Sequence, residues 1–359
     1  MLYKEDWERA KEMYRAWWEG EKTPRPLLYL TSPLKRPRFP VPEPPEPKDL
    51  EDRWTNPEIV LGNAEKAFAS TYFAAEGYPN MHVNLGPGIA ATYMGSTPTF
   101  MPETVWFGRN ESKGWDEILG IDFDPNNRWW IKTKELTMAA VERGKGRYII
   151  GITDLGGILD ILASLRGTEQ LLVDLIENPK EVVMASERII DIWHRCYDEL
   201  YGICLMAQEG SSAWMGLWSP GRWYPIQCDF SAMISPSMFE EFVIPHIEEQ
   251  CRRLDHIIYH WDGPGQIPHL ELLLEVDGLH GIQWTPGAGN PGLGYEGWFP
   301  YYRRILDSGK RLVLLGMDPK EVIDFLKVFG GEGCFISTWA SSPEEADAFV
   351  MEVERLCTA

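Results

Sequence analysis

The sequence predicts an α/β protein built as a (β/α)8 TIM barrel, and three observations carry that prediction. Eight short apolar or β-branched runs are spread along the chain. Segments of helical period separate them, as expected of parallel strands joined by crossover helices. No Walker-type phosphate loop follows any run, so a doubly wound open sheet is the weaker alternative.

In chain order, MLYKEDWERAKEMYRAWWEGEK reads as an amphipathic helix, with Trp7, Met13, Trp17 and Trp18 near one side. It is expected to form an N-terminal helical cap. Residues 32–48 are proline-dense and exclude helix or central strand, so they read as an extended surface loop. Strands are expected at 27–30, 81–84, 148–154, 212–217, 256–262, 281–286, 311–318 and 334–339. Helices are expected at 63–75, 157–165, 168–177, 181–208, 236–254, 267–276, 298–308, 319–329 and 343–356. The stretch 105–145 fits no repeating unit and reads as an insertion before the third strand, packed over one barrel face. Its Arg128-Trp129-Trp130 either covers a site or staples the insertion down. No internal repeat is visible, so residues 1–359 read as a single domain.

Composition narrows the function classes. The chain is 44% hydrophobic and 25% charged, which is ordinary globular usage. Nowhere is there a run of about 18 apolar residues, so no membrane span is expected. The charged N-terminus has no signal-peptide core. A net charge of -20 argues against a nucleic-acid partner, because phosphate binding needs a basic surface. Six cysteines, at 196, 204, 228, 251, 334 and 357, form no Cys-x-x-Cys pair and read as reduced thiols of a cytoplasmic protein. Sixteen Trp, many near the ends of expected strands, suggest an aromatic-walled pocket.

In such a barrel the chemistry sits at the carboxyl ends of the strands. The stretch DHIIYHWDGPG (255–265) looks like a buried strand that ends on His260 and Asp262. With Trp261 between them, both point to one side of the extended chain. The same reading of other strands gives Asn84, Asp154, Trp218, Gln283, Asp318 and Trp339 as end residues. Each has a structural counterpart. His260 and Asp262 form a metal or substrate pair, or else orient the Gly-Pro-Gly loop. Asp154 contacts substrate or caps the next helix; Gln227 and Asp229 line the cleft or anchor the Ser-Pro helix start; Asp318 starts a helix. Asp160 reads as structural. Of Gln283 and Trp284, one should face the mouth.

The segments ITDLGGILDILASLRG (152–167), QCDFSAMISPSMFEEFVIPH (227–246) and LLGMDPKEV (314–322) resemble the uroporphyrinogen decarboxylase superfamily. Order and spacing agree over roughly residues 60–350. The resemblance implies a (β/α)8 barrel and one of two chemistries: cofactor-free decarboxylation of uroporphyrinogen, or methyl transfer between a corrinoid protein and a thiol activated by zinc. The decarboxylase motifs are missing. RPLLYLTSPLKRPR lacks the arginine-bearing PxWxMRQAGR pattern, and Asn84 stands where that family has an aspartate. Ala163 replaces a tyrosine, and no GHG motif lies in CFISTWASSP. In the methyltransferases a His-x-Cys follows the fifth strand. Here His260-Trp261-Asp262 takes that position, while Cys334 lies too early for the last-strand ligand, where Thr338 or Trp339 aligns.

The expected function is therefore a methyltransferase of a corrinoid-dependent system acting on a small methylated substrate or thiol. His260, Asp262 and Asp154 are the catalytic candidates. Asn84, Trp218, Arg222, Gln227, Asp229, Gln283, Trp284 and Trp339 are the substrate-binding ones. His260 and Asp262 would hold zinc or another divalent metal. Methylcobalamin would be carried by a partner corrinoid protein, and a homodimer is compatible with the sequence. Two alternatives remain: a decarboxylase or lyase using Arg222 and Arg109 on a carboxylated substrate, and a non-catalytic ligand-binding barrel.

Overall fold

Strand formation follows the apolar runs. The structure, a computed structural model, describes residues 1–108 and 112–358; Arg109 lies outside them. The described strands are β1 (Leu27–Pro33), β2 (Thr71–Ala75), β3 (Asn80–His82), β4 (Pro98–Phe100), β5 (Val105–Phe107), β6 (Ile149–Gly151), β7 (Ser211–Ser212), β8 (Trp218–Ser219), β9 (Trp223–Gln227), β10 (His256–Asp262), β11 (Gly281–Thr285), β12 (Arg311–Leu314) and β13 (Cys334–Trp339). A seven-stranded sheet runs in the order β2-β1-β13-β12-β11-β10-β9, parallel except for β2. A second sheet, β3-β6-β7-β8, is parallel up to its β8 edge. Hydrogen bonds join the first sheet to β7 of the second and to the segment that leads into β3. Trp223 N donates to Ser211 Oγ at 3.1 Å, and Tyr29 Oη donates to the Tyr78 carbonyl at 2.5 Å. The architecture is thus α/β, with mainly parallel strands and many helices.

Alternation divides the side chains into two cores. On β10, Ile257, Tyr259 and Trp261 join the large cluster beneath the crossover helices, with Leu273 and Tyr302. Ile258 joins a second cluster with Leu27, Ile149, Trp223, Val313 and Phe335, near the strand starts. Because both faces are covered, these strands need apolar residues on both, which is why they read as nearly unbroken runs. The helix Trp7–Glu19 lies across the amino edge and fills the second cluster with Trp7, Tyr14, Trp17 and Trp18. Trp17 Nε1 donates to the Cys334 carbonyl (3.1 Å) and Trp18 Nε1 to the Trp218 carbonyl (3.0 Å), so both indoles are buried with a partner. Beside this helix, Arg25 and Glu76 form a buried ion pair at 2.6 Å.

The structure differs from the sequence expectations at identifiable places. Residues 211–219 form a short hairpin-like excursion, β7 to β8, and the next parallel strand is β9. Pro225 hides β9 in the sequence, since proline demotes a strand; it is tolerated here because β9 ends the seven-stranded sheet. The expected helix 63–75 ends at Ala69, and β2 follows it, antiparallel to β1. Residues 105–145 contain β5 and a helix, Arg128–Gly144, that packs against the long helix Pro179–Cys204. Trp130, fully buried against Tyr93 and Phe123, staples that helix down. Gly287, Gly289 and Gly292 have the spacing of a dinucleotide-binding loop, but a 3-10 turn at Glu296–Trp298 comes before the next helix. That arrangement lacks the strand–turn–helix context the fingerprint requires. Among the described residues, no helix is long and apolar enough to cross a membrane.

Candidate metal centre

The centre starts from the period of two in β10. Ile258 faces the second cluster, so His260 and Asp262 share its face, toward the carboxyl edge. Parallel register then sets a polar row across three strands, because His260 pairs with Gln227 on β9 and with Gln283 on β11. Gln283 is almost wholly buried, and its Oε1 accepts a hydrogen bond from His260 Nδ1. Gln283 Nε2 in turn donates to Thr285 Oγ1 at 2.8 Å. The imidazole is therefore oriented by its Nδ1–H, and Nε2 is left as the ligand atom. Trp214 closes the other side, edge-on to the His260 ring with centroids 5.1 Å apart.

Asp229 reaches the same place from the 3-10 turn Asp229–Met233, just beyond β9. Asp160, on the helix Ile158–Arg166, fixes that turn by accepting from Asp229 N (3.1 Å) and Phe230 N (2.8 Å). The approach is close. A Cβ on Gly157 would fall 2.2 Å from the Gln227 carbonyl oxygen, so glycine is required there. Ligand atoms of Asp229, His260 and Asp262 then lie within 4.8 Å of one another.

Four carboxylates crowd this edge. Asp154 accepts from Gly156 N at 2.8 Å, and burial pushes its carboxyl up to about 6, against the pull of His260. Asp160 is also raised, first by burial and then by the Asp229 charge; Asp229, an exposed residue with its carboxyl turned toward this edge, is raised by the desolvation of that carboxyl and by the charges of Asp262 and Asp154. No Lys or Arg among the described residues forms an ion pair with Asp154, Asp160, Asp229 or Asp262. Two carboxylates and one imidazole in reach of each other, with no cation to balance them, form a donor set for a divalent ion. A cleft of about 970 Å³ opens beside Asp229 and Gln227, walled by Trp106, Phe107, Phe230 and Met233.

The remaining sequence candidates are placed as follows. Asn84 is exposed beyond β3, and its Oδ1 accepts from Gly86 N at 3.0 Å. Trp339 ends β13 and is half exposed. Asp318 caps the helix Pro319–Phe329 by accepting from Lys320 N. Three candidates lie away from the centre. Trp218 is fully buried near the amino edge beneath the N-terminal helix, donating to the Glu209 carbonyl. Arg222 precedes β9, pairs with Asp198 and rests on Tyr197 and Tyr201. Trp284 points to the helix side, packed on Trp261 with centroids 4.4 Å apart. Asp160 and Trp214, in contrast, stand at the centre without having been singled out for it. Asp160 had a signal in its position one turn into the helix after Gly157; Trp214 lay hidden inside an expected strand.

Fold and donor set together define a mixed α/β protein with a carboxylate–imidazole centre at the carboxyl edge of parallel strands. No protein-family model matches the sequence, and no curated protein does. Among solved structures the fold is similar to that of a methyltransferase from Methanosarcina mazei. The two are 14% identical, the match covers 98% of this chain and 99% of that one, and the TM-score is 0.56.

Proposed function

We propose that the protein is a metal-assisted methyltransferase whose reaction takes place at Asp229, His260 and Asp262. The single observation that carries this reading is the convergence of those three ligand atoms, with His260 already oriented by Gln283. The fold likeness to a methyltransferase supports the reaction class. In this reading the two parallel sheets are arcs of one eightfold strand–helix ring, with the centre at its mouth. The bound ion would be zinc or another divalent cation, supplying Lewis-acid activation of a methyl-bearing or methyl-accepting group. A corrinoid protein, docked at the carboxyl edge, is the proposed methyl carrier.

The chain's own residues have separable tasks. His260, fixed by Gln283, and the carboxylates of Asp229 and Asp262 hold the ion. Asp160 holds Asp229 in place through the backbone of its turn. Trp106, Phe107 and Phe230 wall the cleft that receives the organic part of the substrate. The decarboxylase alternative needs a cation to grip a substrate carboxylate. Arg222 is engaged near the amino edge, and Arg166, in the cleft wall, is committed to Asp174 at 2.6 Å. The test is metal content of the purified protein and of His260→Ala and Asp229→Asn. One divalent ion per chain, lost from both variants while they stay folded, is the expected result. A parent protein that neither carries nor binds zinc, cobalt or manganese overturns the reading.

A further inference from the structure

The cleft beside Asp229 is defined chemically by what its walls leave unsatisfied. Trp106 and Phe107 of β5, Phe230 and Met233 of the turn after β9, and residues of the helices Ile158–Arg166 and Thr168–Glu177 all line this one cavity. The hairpin β4–β5 lies directly on the first of these helices, because Gly108 has no side chain; a Cβ there would collide with the Ser164 carbonyl oxygen.

Features that attract an anion are already answered within the chain. Arg166, the one Lys or Arg in the cleft wall among the described residues, pairs with Asp174 at 2.6 Å and donates to the Lys113 carbonyl at 2.8 Å. The positive ends of both helices are offset by a carboxylate in the first turn, Asp160 in one and Glu169 in the other. Features that attract a cation are not answered. Asp160, Asp229 and Glu169 line the cleft and form no ion pair with Lys or Arg among the described residues. The rings of Trp106, Phe107 and Phe230 have neither a ring partner nor a cation among the described residues. Elsewhere such faces are used: Trp129 lies under Arg128 at 4.6 Å, Trp115 under Arg166 at 4.9 Å and Phe123 under Arg195 at 4.0 Å. Trp106 is 55% exposed and Met233 50%, so large apolar side chains stand open at the cleft.

A divalent ion at the proposed centre leaves this balance negative, since it brings two charges against Asp154, Asp160, Asp229, Asp262 and Glu169. Aromatic walls then select among cations. A metal ion or a primary ammonium is strongly hydrated and gains little from a ring face, whereas a methylated ammonium gives up its water readily and is held by one.

We propose that this cleft binds a methylated ammonium group of the substrate, with Trp106, Phe107 and Phe230 packed on its methyls and the cleft carboxylates supplying the opposing charge. The inference deepens the methyltransferase reading and rests on it for calling the ligand a substrate; the binding itself is non-covalent and needs no turnover.

The experiment uses ¹⁵N-labelled full-length protein as purified, at about pH 8. The probes are choline, its uncharged isostere 3,3-dimethyl-1-butanol, anisole and isobutyrate. Affinity is read from saturation transfer to the ligand protons, and location from the Trp106 indole signal, assigned by its loss in Trp106→Leu. Choline should shift that signal saturably and bind about tenfold more tightly than the isostere, which has the same shape without the charge. Trp106→Leu keeps an apolar wall but removes the π face, so it should weaken choline several-fold and leave the isostere nearly unchanged. The proposal is overturned if choline leaves the Trp106 signal unmoved, or if the isostere or anisole binds as tightly, which would make the cleft a neutral apolar one. Tighter binding of isobutyrate would overturn it in favour of a carboxylate ligand. No metal or methyl-transfer readout enters. A protein that binds choline but no metal would sink the proposed reaction and spare the cleft, while one that binds metal but not choline would sink this inference alone.

Discussion

Replacing Gln283 with Leu separates the orientation of the centre from its composition. The side chain keeps nearly the same volume, all three proposed ligands remain, and only the partner of His260 Nδ1 is lost. Gln283 is 1% exposed, so water cannot take its place without rearrangement. Two half-buried residues lose a partner, at the imidazole N–H of His260 and at Thr285 Oγ1. Unsatisfied buried groups cost about 1–3 kcal/mol each, and removing the outer partner of a ligating histidine lowers metal affinity about 10- to 100-fold. The latter corresponds to about 1.4–2.7 kcal/mol of binding free energy. The assay is zinc competition against a chromophoric chelator, run beside urea unfolding of the metal-free protein. Gln283→Glu, which retains an acceptor at the same atom, should stay close to the parent in affinity. If Gln283→Leu folds and binds zinc as tightly as the parent, Gln283 does not set the ligand atom of His260, and the imidazole is not oriented for an ion by its outer partner.

Two further outcomes follow from the rest of the molecule. Glu76→Ala removes the bidentate partner of Arg25, whose side chain is 4% exposed and keeps only the longer contact to Glu354 at 3.3 Å, and should cost up to about 3–5 kcal/mol in urea unfolding; the double variant Arg25→Met/Glu76→Met should recover most of it, and a loss below about 1 kcal/mol in the single variant would refute the buried-pair account. His194 is held neutral by burial, its pKa lowered to about 4 from 6.5. The unfolded chain therefore takes up a proton below pH 6.5 that the folded chain refuses, so stability is intact above 6.5 and falls as pH drops toward 4. Relative to His194→Gln, the parent should lose stability across that window, and parallel urea midpoints would contradict the burial.

How much was legible can be argued residue by residue. Alternation along β10 placed His260 and Asp262 together because a strand's period does not depend on its neighbours. The choice between Gln283 and Trp284 needed the register of β11, which pairs Gln283 with His260 and turns Trp284 to the helices. Trp218 and Arg222 were displaced by a single strand error. Taking 212–217 as a strand makes residue 218 its carboxyl end, whereas β9 begins at Trp223 and leaves both residues before a strand. Proline at 225 concealed the true strand. Asp229 was legible as a cleft residue but not as a partner of His260, since their contact spans a turn held by Asp160, and no local pattern encodes a tertiary hydrogen bond.

In the proposed strand–helix ring, the helix Trp7–Glu19 would give the interior a floor. Its indoles are bonded to the backbone of β8 and β13, so nothing the size of a substrate passes out at that end without unseating a packed helix. Whatever enters at the carboxyl edge must leave by the way it came. For the proposed methyltransferase, reactants and products would then share one doorway, traffic through it would be sequential, and a macromolecule seated on the rim would halt exchange until it departs.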